Sequence, residues 1–404
     1  MPTVPTRMRI LFLTPRLPYP PYRGDRLKIF NLIREASRTG DVYLLSFVDS
    51  EDERRSAEHL RPYCREIRTL VHPPLRSALG CVAAAPGPTP FQVAYYRSPA
   101  MKRALSEAVR QIRPHVVHTH LIRMAQYRAL IPDVPNVLDL TDAVSLYLAR
   151  FLEKENRAAM RLALWEELRR MRSYENIIAS FDTVLVCSPA DREFLSRNVT
   201  NASVEVLPNG IDTEIFAPRP DVPVDGKRVV FTGNMTYFPN TDGAQYLARE
   251  IWPLVRRRVP DAKLYLVGQN PPTSVSRLAA EDIVVTGFVR DIQEEYARSA
   301  VAVSPIRFGA GTLNKILEPL AMGVPVVCTD IGISGLDLED GKDVLVATTA
   351  EGLADHIVRL LGDASLRHAV GISAMERIRS RFSWNAVGKI LLGVYDRIAR
   401  REVD

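Results

Sequence analysis

Residues able to hold a phosphorylated ligand are concentrated late in the chain, in RFGAGTLNKILE at positions 307–318. A predicted strand ends just before this segment, and a predicted helix begins near Thr312. Glycines let a backbone approach a ligand closely, and the free N–H groups at a helix start attract phosphate. Lys315 adds a positive charge, and Glu318 follows on the same helical face, where its carboxylate can accept bonds from two ribose hydroxyls. The segment predicts a nucleoside diphosphate site; the alternative is a plain turn followed by a surface Lys–Glu pair.

A second candidate is the histidine pair in Val-Val-His-Thr-His. His118 and His120 end a predicted strand, and the two-residue period of a strand puts both imidazoles on one face. Histidine can exchange protons or donate hydrogen bonds near neutral pH. Asp139 and Asp142 flank the end of the next predicted strand, where either can orient a histidine or bind an acceptor. Packed histidines satisfied by backbone groups, and a helix cap at Asp142, are the alternatives.

Further loops after predicted strands carry weaker signals. The segment PYPPYRGD at 18–25 contains Arg23, Gly24 and Asp25, which suit either a ligand loop or a structural turn. Gly233 and Val289 follow strands of the second half, where backbone groups can line a nucleotide. The sequence has no H-x-x-x-H, D-x-D or G-x-S-x-G motif, so the common metal and serine-hydrolase sites are not indicated, and we expect no metal.

These loops need a scaffold in which strands and helices alternate. Short apolar runs alternate with amphipathic stretches along the whole chain, which predicts parallel sheets covered by helices on both faces. Helices are expected at 26–37, 100–112 and 143–180, whereas 73–99, rich in proline, glycine and alanine, is predicted to be a loop. The predicted strands are 9–13, 42–47, 66–71, 116–119, 136–140, 183–187, 228–232, 263–267, 283–286, 301–305, 324–329 and 344–347.

The α/β pattern restarts after a proline-rich linker at 217–226. We therefore predict an α/β protein of two Rossmann-like, doubly wound parallel-sheet domains that face a cleft. The first covers 1–214 and the second 215–380, and a C-terminal helix at 381–404 is expected to cross back to the first. Ligands bind outside the carboxyl ends of the strands in such sheets, which is where the loops described above are expected.

Composition and charge exclude several classes of protein. The chain has 404 residues, 46% hydrophobic and 25% charged, as globular proteins do, and no apolar run of 18 residues that could span a membrane. Four scattered cysteines without a C-x-x-C pair fit a cytoplasmic protein rather than a disulfide framework. The net charge of +6 lies within residues 1–214, which either have a solvated surface or face an anionic partner such as the inner face of the plasma membrane. The membrane face would combine the aromatics at 91–96 with the basic residues Arg150, Lys154, Arg157 and Arg161, which recur at helical spacing; the alternative is that these cations pair with nearby glutamates on a solvated helix. No nucleic-acid motif is present.

The order of motifs along nearly the whole chain resembles a family 4 glycosyltransferase of the two-Rossmann-domain (GT-B) type. The motifs are Pro-x-x-Gly, Val-Val-His-x-His, Val-x-Cys-Ser, Leu-Pro-Asn-Gly-Ile-Asp and Gly-Thr-x-x-Lys-x-x-Glu-x-x-Ala-x-Gly-x-Pro-Val-Val. The last of these, from Gly311 to Val327, is the most specific. Gly-Asn-Met-x-x-x-Pro-Asn at 233–240 resembles the bacterial exopolysaccharide-associated branch.

The resemblance implies a role for each candidate. Lys315 would meet the diphosphate charge and His120 would sit beside the transferred sugar, as the catalytic residues. The other donor-binding residues would be Gly309, Ala310, Gly311, Thr312, Leu313, Asn314 and Arg307 around the diphosphate, Glu318 at the ribose, Val289 at the base, and Gly233. The acceptor or phosphate loop would comprise Arg23, Gly24, Asp25 and Asp142. The domain at 1–214 would then be the acceptor side and the domain at 215–380 the donor side.

The expected function is retaining transfer of a sugar from a nucleotide-diphosphate sugar to a glycan or lipid-linked acceptor in exopolysaccharide biosynthesis, without metal or cofactor. The alternatives are a nucleotide-sugar 2-epimerase of the same fold and a non-catalytic nucleotide-sugar-binding subunit. This chain departs from the family pattern at Ala310, where a glutamate is common, and at Asp25, where a second glycine is common. The basic pair usual after the strand before Gly233 is absent, and Pro319 should kink the helix that carries Glu318.

Overall fold

The chain forms two compact units. A computed structural model describes residues 7–21, 24–155, 157–307, 314–333 and 335–400. The first unit combines the chain up to Pro208 with Val387 onward, and the second runs from Asn209 to Ala386. Most of the last helix, Trp384–Arg400, therefore packs with the first unit, which is built from both ends of the chain.

The first unit is built on a seven-stranded parallel sheet of order β3-β2-β1-β4-β5-β6-β7. Its strands are β1 (Met8–Thr14), β2 (Gly40–Val48), β3 (Glu66–Val71), β4 (Val116–His120), β5 (Asn136–Thr141), β6 (Thr183–Val186) and β7 (Val204–Val206). Strands β4 and β6 are buried along their whole length, as is usual when helices cover both faces of a sheet.

Several helices of the first unit begin at a serine whose side chain caps the first turn. Ser98 accepts a hydrogen bond from the Met101 N–H at the start of one helix, and Arg113 ends that helix in the left-handed conformation. The helices are α1 (Gly24–Ser37), α2 (Glu51–Arg55), α3 (Pro74–Ala84), α4 (Phe91–Tyr95), α5 (Pro99–Ile112), α6 (Val144–Lys154), α7 (Ala158–Tyr174) and α8 (Pro189–Asn198), with 3₁₀ turns at Ser56–Leu60, Ile122–Leu130 and Glu175–Ser180.

The second unit is built on a six-stranded parallel sheet of order β10-β9-β8-β11-β12-β13. Its strands are β8 (Asp225–Thr232), β9 (Lys263–Val267), β10 (Ile283–Gly287), β11 (Ser299–Ser304), β12 (Val326–Cys328) and β13 (Leu345–Val346). The remaining helices are α9 (Phe238–Tyr246), α10 (Trp252–Arg258), α11 (Thr273–Ser276), α12 (Ile292–Ala297), α13 (Asn314–Ala321), α14 (Asp330–Ile333), α15 (Ala350–Gly362), α16 (Ala364–Arg381) and α17 (Trp384–Arg400), with a π-helical turn at Leu247–Ile251. In the part of the chain that the structure describes, no helix is both long and apolar enough to cross a bilayer.

The predicted fold class, two parallel-sheet α/β domains, is confirmed. Every predicted strand is present to within three residues at each end, and β7 is too short to carry a recognisable pattern. The predicted loop at 73–99 is wrong, because α3 and α4 lie within it. Proline suggested a loop there, yet Pro74 occupies the first turn of α3, where a missing N–H leaves no hydrogen bond unmade.

Each sheet has one place where the winding direction reverses. Strand β1 pairs with both β2 and β4 in the first unit, and β8 pairs with both β9 and β11 in the second. The loops after two such neighbouring strands turn to opposite faces of the sheet and leave a crevice at the carboxyl ends, where ligands bind. His120 ends β4 and Gly233 follows β8, so both lie at these reversal points.

Candidate functional site

In the first unit, β4 and β5 bring the two histidines to one carboxylate. The parallel register places His120 opposite Asp139. His120 Nδ1 lies 3.3 Å and His118 Nε2 lies 3.8 Å from Oδ2 of Asp139, and all three side chains are buried. Neither contact has the geometry of a hydrogen bond. The prediction that Asp139 orients a histidine is consistent with this arrangement.

Lys28 of α1 neutralises the same carboxylate. Its Nζ lies 2.8 Å from Oδ1 of Asp139 and 3.3 Å from Sγ of Cys187, and both partners of the ion pair are buried. Burial opposes both charges, but the pair outweighs it: the pKa of Lys28 is raised, and Lys28 with the histidines holds the pKa of Asp139 well below its usual range. Lys28 and Asp139 therefore form a buried ion pair whose two charges cancel.

Tyr395 of the C-terminal helix completes the arrangement. Its hydroxyl lies 2.8 Å from Nδ1 of His118. Burial lowers the pKa of His118 and raises that of Tyr395 well above its usual value, so both groups are neutral. The phenol O–H then donates to Nδ1, and the proton of His118 lies on Nε2, on the side of Asp139.

The chemistry of this cluster favours hydrogen bonding over metal binding. Ligand atoms of His118, His120 and Asp139 lie within 4.8 Å of one another, which is close enough for one ion. A divalent ion would have to share Asp139 with the ammonium of Lys28 in a buried site, and Tyr395 already occupies the second nitrogen of His118. Like charges at this separation repel strongly where water is excluded.

The backbone is strained on both sides of the cluster. Thr141, directly after Asp139 and Leu140, has a φ of +68°, and Leu121, after His120, has a φ of +66°. Side chains of these types rarely adopt such angles, and strain of this kind is concentrated at functional sites. Thr141 uses the resulting geometry to donate its N–H to Oδ1 of Asp139 at 3.2 Å.

Asp142 lies next to this strained turn and has an unusual carboxyl group. Burial, with Asp191 nearby, raises its pKa to about 6, and its Oδ1 has no hydrogen-bond partner among the described residues. The alternative that Asp142 caps the following helix is wrong, because Ala143 occupies the cap position of α6. An unpartnered carboxyl at the end of β5 remains a candidate acceptor-binding group.

We expect Asp142→Asn to stabilise the protein at pH 7.5. In the folded chain the pKa is about 6, against 3.8 ordinarily, so between these values the folded state holds more protons and the free energy of unfolding falls as pH rises. Removing the charge should raise the free energy of unfolding by roughly 2 kcal/mol more at pH 7.5 than at pH 4.5. Urea unfolding at the two pH values measures this difference. Equal effects at both would mean that Asp142 has an ordinary pKa.

The segment at 18–25, which leads into α1, gives less evidence of a ligand site. Gly24 begins α1, and a Cβ added there would meet none of the described atoms within 4 Å, so packing alone does not require glycine. Asp25 forms an ion pair with Arg16 at 3.3 Å. Arg23 lies outside the described residues, and the role of this loop stays a prediction.

In the second unit, Glu318 on α13 is held by a chain of hydroxyl groups. Tyr296 donates to Oε2 of Glu318 at 2.8 Å, and the Tyr296 oxygen lies 2.6 Å from Oγ1 of Thr232 at the end of β8. Burial raises the pKa of Glu318, while Tyr296 and Lys315 oppose that shift. Pro319 lies inside α13, which nonetheless continues to Ala321. The carboxylate is thus fixed near the carboxyl end of the sheet.

Lys315 points to the loop after β8. Its Nζ donates to Oδ1 of Asn240, whose Nδ2 donates to the Asn234 carbonyl at 2.8 Å. Burial lowers the pKa of Lys315 to about 8, although Glu318 opposes the shift. The loop after β8 is closely packed here, since a Cβ on Gly233 would lie 2.7 Å from Asn240. The structure therefore brings Lys315 and Gly233 together.

The structure gives less information on the other residues that were predicted to bind the donor. Arg307 is engaged in a two-bond ion pair with Asp242, at 2.6 and 2.9 Å, and lies over the Tyr246 ring. Val289 follows Gly287, which has a φ of +70°, and it packs partly against the core of the second unit. Asn314 begins α13. Gly309, Ala310, Gly311, Thr312 and Leu313 lie outside the described residues.

The sequence predicted no role for four residues of these clusters, although one of them, Asn240, ends the motif at 233–240. Lys28 has the appearance of a surface lysine on an amphipathic helix, and Tyr395 that of a core tyrosine. Tyr296 and Asn240 lie far along the chain from Glu318 and Lys315. The reversal points of the two sheets also indicated where such residues lie, because Asn240 follows β8 and Lys28 lies on the helix after β1.

Comparison with known proteins decides the family. The family model described as "Glycosyltransferase Family 4" matches residues 29–215, and the model described as "Glycosyl transferases group 1" matches residues 226–363. These two matches cover most of both units. The chain belongs to the family 4 glycosyltransferases. It is therefore an enzyme of the transferase class, as predicted.

Individual relatives of this glycosyltransferase are distant. An uncharacterized 44.6 kDa protein in the cps region of Klebsiella pneumoniae is 22% identical over 93% of this chain and 96% of its own length. A GDP-mannose-dependent alpha-(1-6)-phosphatidylinositol monomannoside mannosyltransferase of Mycolicibacterium smegmatis is 30% identical over 48% of this chain and 56% of its own length.

Solved structures share the fold. The sucrose-phosphate synthase of Thermosynechococcus elongatus has a TM-score of 0.72 at 18% identity and covers 97% of this chain and 99% of its own. HepE of Anabaena in complex with UDP-glucose has a TM-score of 0.64 at 14% identity, with 97% of this chain and 100% of its own covered. These similarities confirm the GT-B architecture of this glycosyltransferase.

Proposed function

We propose that this glycosyltransferase moves a sugar, with retention of configuration, from a nucleotide-diphosphate sugar to a glycan or lipid-linked acceptor in exopolysaccharide biosynthesis. The observation that carries the proposal is the pair Lys315 and Glu318 on α13, a half-buried cation and carboxylate at the reversal point of the second sheet. Lys315 would meet the diphosphate, and Glu318 would accept bonds from the ribose hydroxyls.

Relatives support two parts of the proposal, the class of donor and the role in making a polysaccharide. The Mycolicibacterium smegmatis relative is GDP-mannose-dependent, and the HepE structure holds UDP-glucose, so the class of donor is a nucleotide sugar while the base stays open. The Klebsiella pneumoniae relative is encoded in the cps region, and a 26% identical relative in Streptomyces coelicolor is an exopolysaccharide phosphotransferase that this chain matches over 24% of that protein. These names favour a surface-polysaccharide role.

The proposed reaction exchanges one bond for another on the same face of the sugar. The bond between the anomeric carbon and the β-phosphate oxygen breaks, the acceptor oxygen bonds to that carbon, and the acceptor proton passes to the departing phosphate. Lys315 and the N–H groups at the start of α13 would stabilise the charge that develops on the phosphate. His120, in the first unit, would hydrogen-bond the sugar or its developing positive centre.

Incubation with a panel of UDP-, GDP- and ADP-sugars, with and without a lipid-linked glycan extract, tests this function. We expect glycosylated product only with acceptor, with the donor's anomeric configuration kept when product is analysed by NMR. An epimerised nucleotide sugar formed without acceptor would favour the epimerase, and donor binding without any turnover would favour a non-catalytic subunit.

Metal is expected to be dispensable. Lys315 and helix N–H groups would supply the positive charge that a divalent ion otherwise supplies to a diphosphate. Activity should therefore be unchanged, within about twofold, in excess EDTA. Loss of activity in EDTA with recovery on adding magnesium or manganese would contradict this proposal.

The proposal also includes contact with an anionic membrane, but through other residues than the sequence suggested. The aromatics at 91–96 are packed, not exposed: Tyr96 stacks on His72 and is buried, and Phe91 lies under the Arg170 guanidinium. Arg157 is paired with Glu155, and Arg161 donates to backbone carbonyls. Lys154 is not described at side-chain level. The predicted basic and aromatic face is therefore wrong in its residues.

Exposed apolar residues lie instead on α3 and α7. Leu75, Leu79 and Val82 share one face of α3 and are 82%, 69% and 70% exposed, and Leu162 and Trp165 are exposed on α7. Glu167 and Arg170 of α7 hydrogen-bond to the backbone of the segment that follows α3, so the two helices are linked. Residues 67–106 include five arginines and lysines and no acidic residue. An apolar helix face in a basic segment is typical of surfaces that bind anionic lipid.

The double change Leu75→Ser and Leu79→Ser is expected to weaken binding to vesicles containing phosphatidylglycerol by at least about tenfold, because burying one leucine contributes roughly 1.5 kcal/mol or more. The control is Val224→Ser, which changes an apolar residue of the second unit that is 58% exposed and should leave binding unchanged. Wild-type binding should fade as salt shortens the Debye length to about 10 Å near 0.1 M. Absence of binding at low salt would contradict membrane contact.

A further inference from the structure

Lys28 is a buried cation that the mechanism above does not use. It is 1% exposed, on the helix that follows β1, and its partner Asp139 is fully buried. Removing two charges from water is costly, and such a pair is often no more stable than apolar residues of the same size. Stability alone therefore does not explain the pair, and its position beside His120 points to another purpose.

We propose that the Lys28–Asp139 ion pair is a positioning device that fixes the His120 imidazole with Nδ1 toward Asp139 and Nε2 toward the reacting sugar. The proposal rests on the role of His120 in the proposed function. Lys28 and Asp139 are positioning residues, since they act through His120 and touch neither substrate.

The contacts of Asp139 leave it one orientation. Its Oδ1 is occupied by the ammonium of Lys28 at 2.8 Å and by the Thr141 N–H at 3.2 Å, so Oδ2 is the oxygen that faces both histidines. Rotation of the carboxyl would break the ion pair in a buried site. Asp139 is thus held by α1 and by its own strand, and it presents a fixed acceptor to Nδ1 of His120.

His118 also faces Oδ2 of Asp139, with its Nε2 at 3.8 Å. Tyr395 occupies Nδ1 of His118, which leaves the Nε2 proton directed to Oδ2 of Asp139. His120 has no hydrogen-bond partner on either nitrogen among the described residues. Its Nδ1 lies 3.3 Å from Oδ2 of Asp139, and a small rotation of the ring gives a hydrogen bond that places the proton on Nδ1. Nε2 then carries no proton and can accept a hydrogen bond. The bond made by one ring nitrogen commonly fixes the tautomer of a histidine in this way.

Nitrogen NMR of histidine-labelled protein tests the anchor without knowledge of the donor. Long-range ¹H–¹⁵N spectra report which ring nitrogen carries the proton, and His120→Gln identifies the His120 signals. We expect His120 to be protonated on Nδ1 in the wild type and to become a mixture of tautomers in the double variant Lys28→Met with Asp139→Asn. The same tautomer in both proteins would overturn the proposal.

Kinetics of the same variants separate positioning from stability. Lys28→Met alone leaves a buried carboxylate unpaired and should lower Tm, whereas the double variant carries neither charge and should recover most of the loss. We expect kcat of the double variant to stay ten- to thirtyfold below wild type with the donor KM within threefold. Recovery of kcat together with Tm would show a purely structural pair and overturn the proposal.

A second ion pair provides the matched control. Arg228 and Glu295 are paired in the second unit, where Arg228 is buried near the amino end of β8, away from the carboxyl ends that carry the site. Arg228→Met with Glu295→Gln should change Tm but not kcat. Wild-type protein that turns over no nucleotide sugar would refute the proposed function, and the NMR result would still decide whether Asp139 anchors His120.

Discussion

Replacing Lys315 by methionine is expected to lower kcat about 100- to 1,000-fold, the loss typical of removing one group that stabilises developing negative charge. Lys315 is held toward the loop after β8 by Asn240, so its ammonium is already in place before the leaving phosphate gains charge. Methionine keeps most of the length of the side chain and removes the charge together with the hydrogen bond to Asn240. Steady-state assays with the active donor measure the change.

The pH profile gives an independent measure of the same residue. Because burial lowers the pKa of Lys315 to about 8, kcat/KM should fall as the pH rises above about 8, where the free enzyme loses this proton. Lys315→Arg should move that fall to higher pH, since arginine stays charged. Lys342→Met is the control, because Lys342 is an exposed lysine paired with Glu339 in the same unit. A Lys315→Met enzyme within threefold of wild-type kcat would refute the role of Lys315.

Replacing Glu318 by glutamine is expected to raise the donor Kd about 10- to 100-fold, since a hydrogen bond to a charged group is worth roughly 1.5–3 kcal/mol. Tyr296 already donates to Oε2, and the remaining lone pairs of the carboxylate would accept bonds from the ribose hydroxyls. Glutamine keeps the shape but loses the charge and replaces one acceptor with a donor. Calorimetry with the nucleoside diphosphate measures the loss directly.

Tyr296→Phe separates ribose binding from positioning of the carboxylate. Phenylalanine removes the hydroxyl between Thr232 and Glu318 and leaves the charge of Glu318 intact. We expect a smaller loss of donor affinity, about three- to tenfold, because a neutral hydrogen bond contributes roughly 0.5–1.5 kcal/mol. A folded Glu318→Gln protein with unchanged donor affinity would mean that Glu318 does not touch the ribose.

Much of the fold could be predicted from the local pattern of apolar and polar residues. Apolar runs and helical periodicity depend on residues close together in the chain, so the strands, the two parallel sheets and the loops at their carboxyl ends could be predicted. The spacing of Lys315 and Glu318 on one helical face is local in the same sense. The sequence also predicted that Asp139 could orient a histidine, because both positions end neighbouring strands.

Tertiary structure decided which polar groups are buried and what each one touches. Lys28 and Asp139 are 111 residues apart, and His118 and Tyr395 are 277 residues apart, so no local pattern shows that they meet. The aromatics at 91–96 appeared suitable for a membrane, yet Tyr96 is buried, and the exposed apolar side chains are those of α3. Periodicity determines which face of an element is apolar, whereas burial of a charge depends on the partners that the complete fold brings to it.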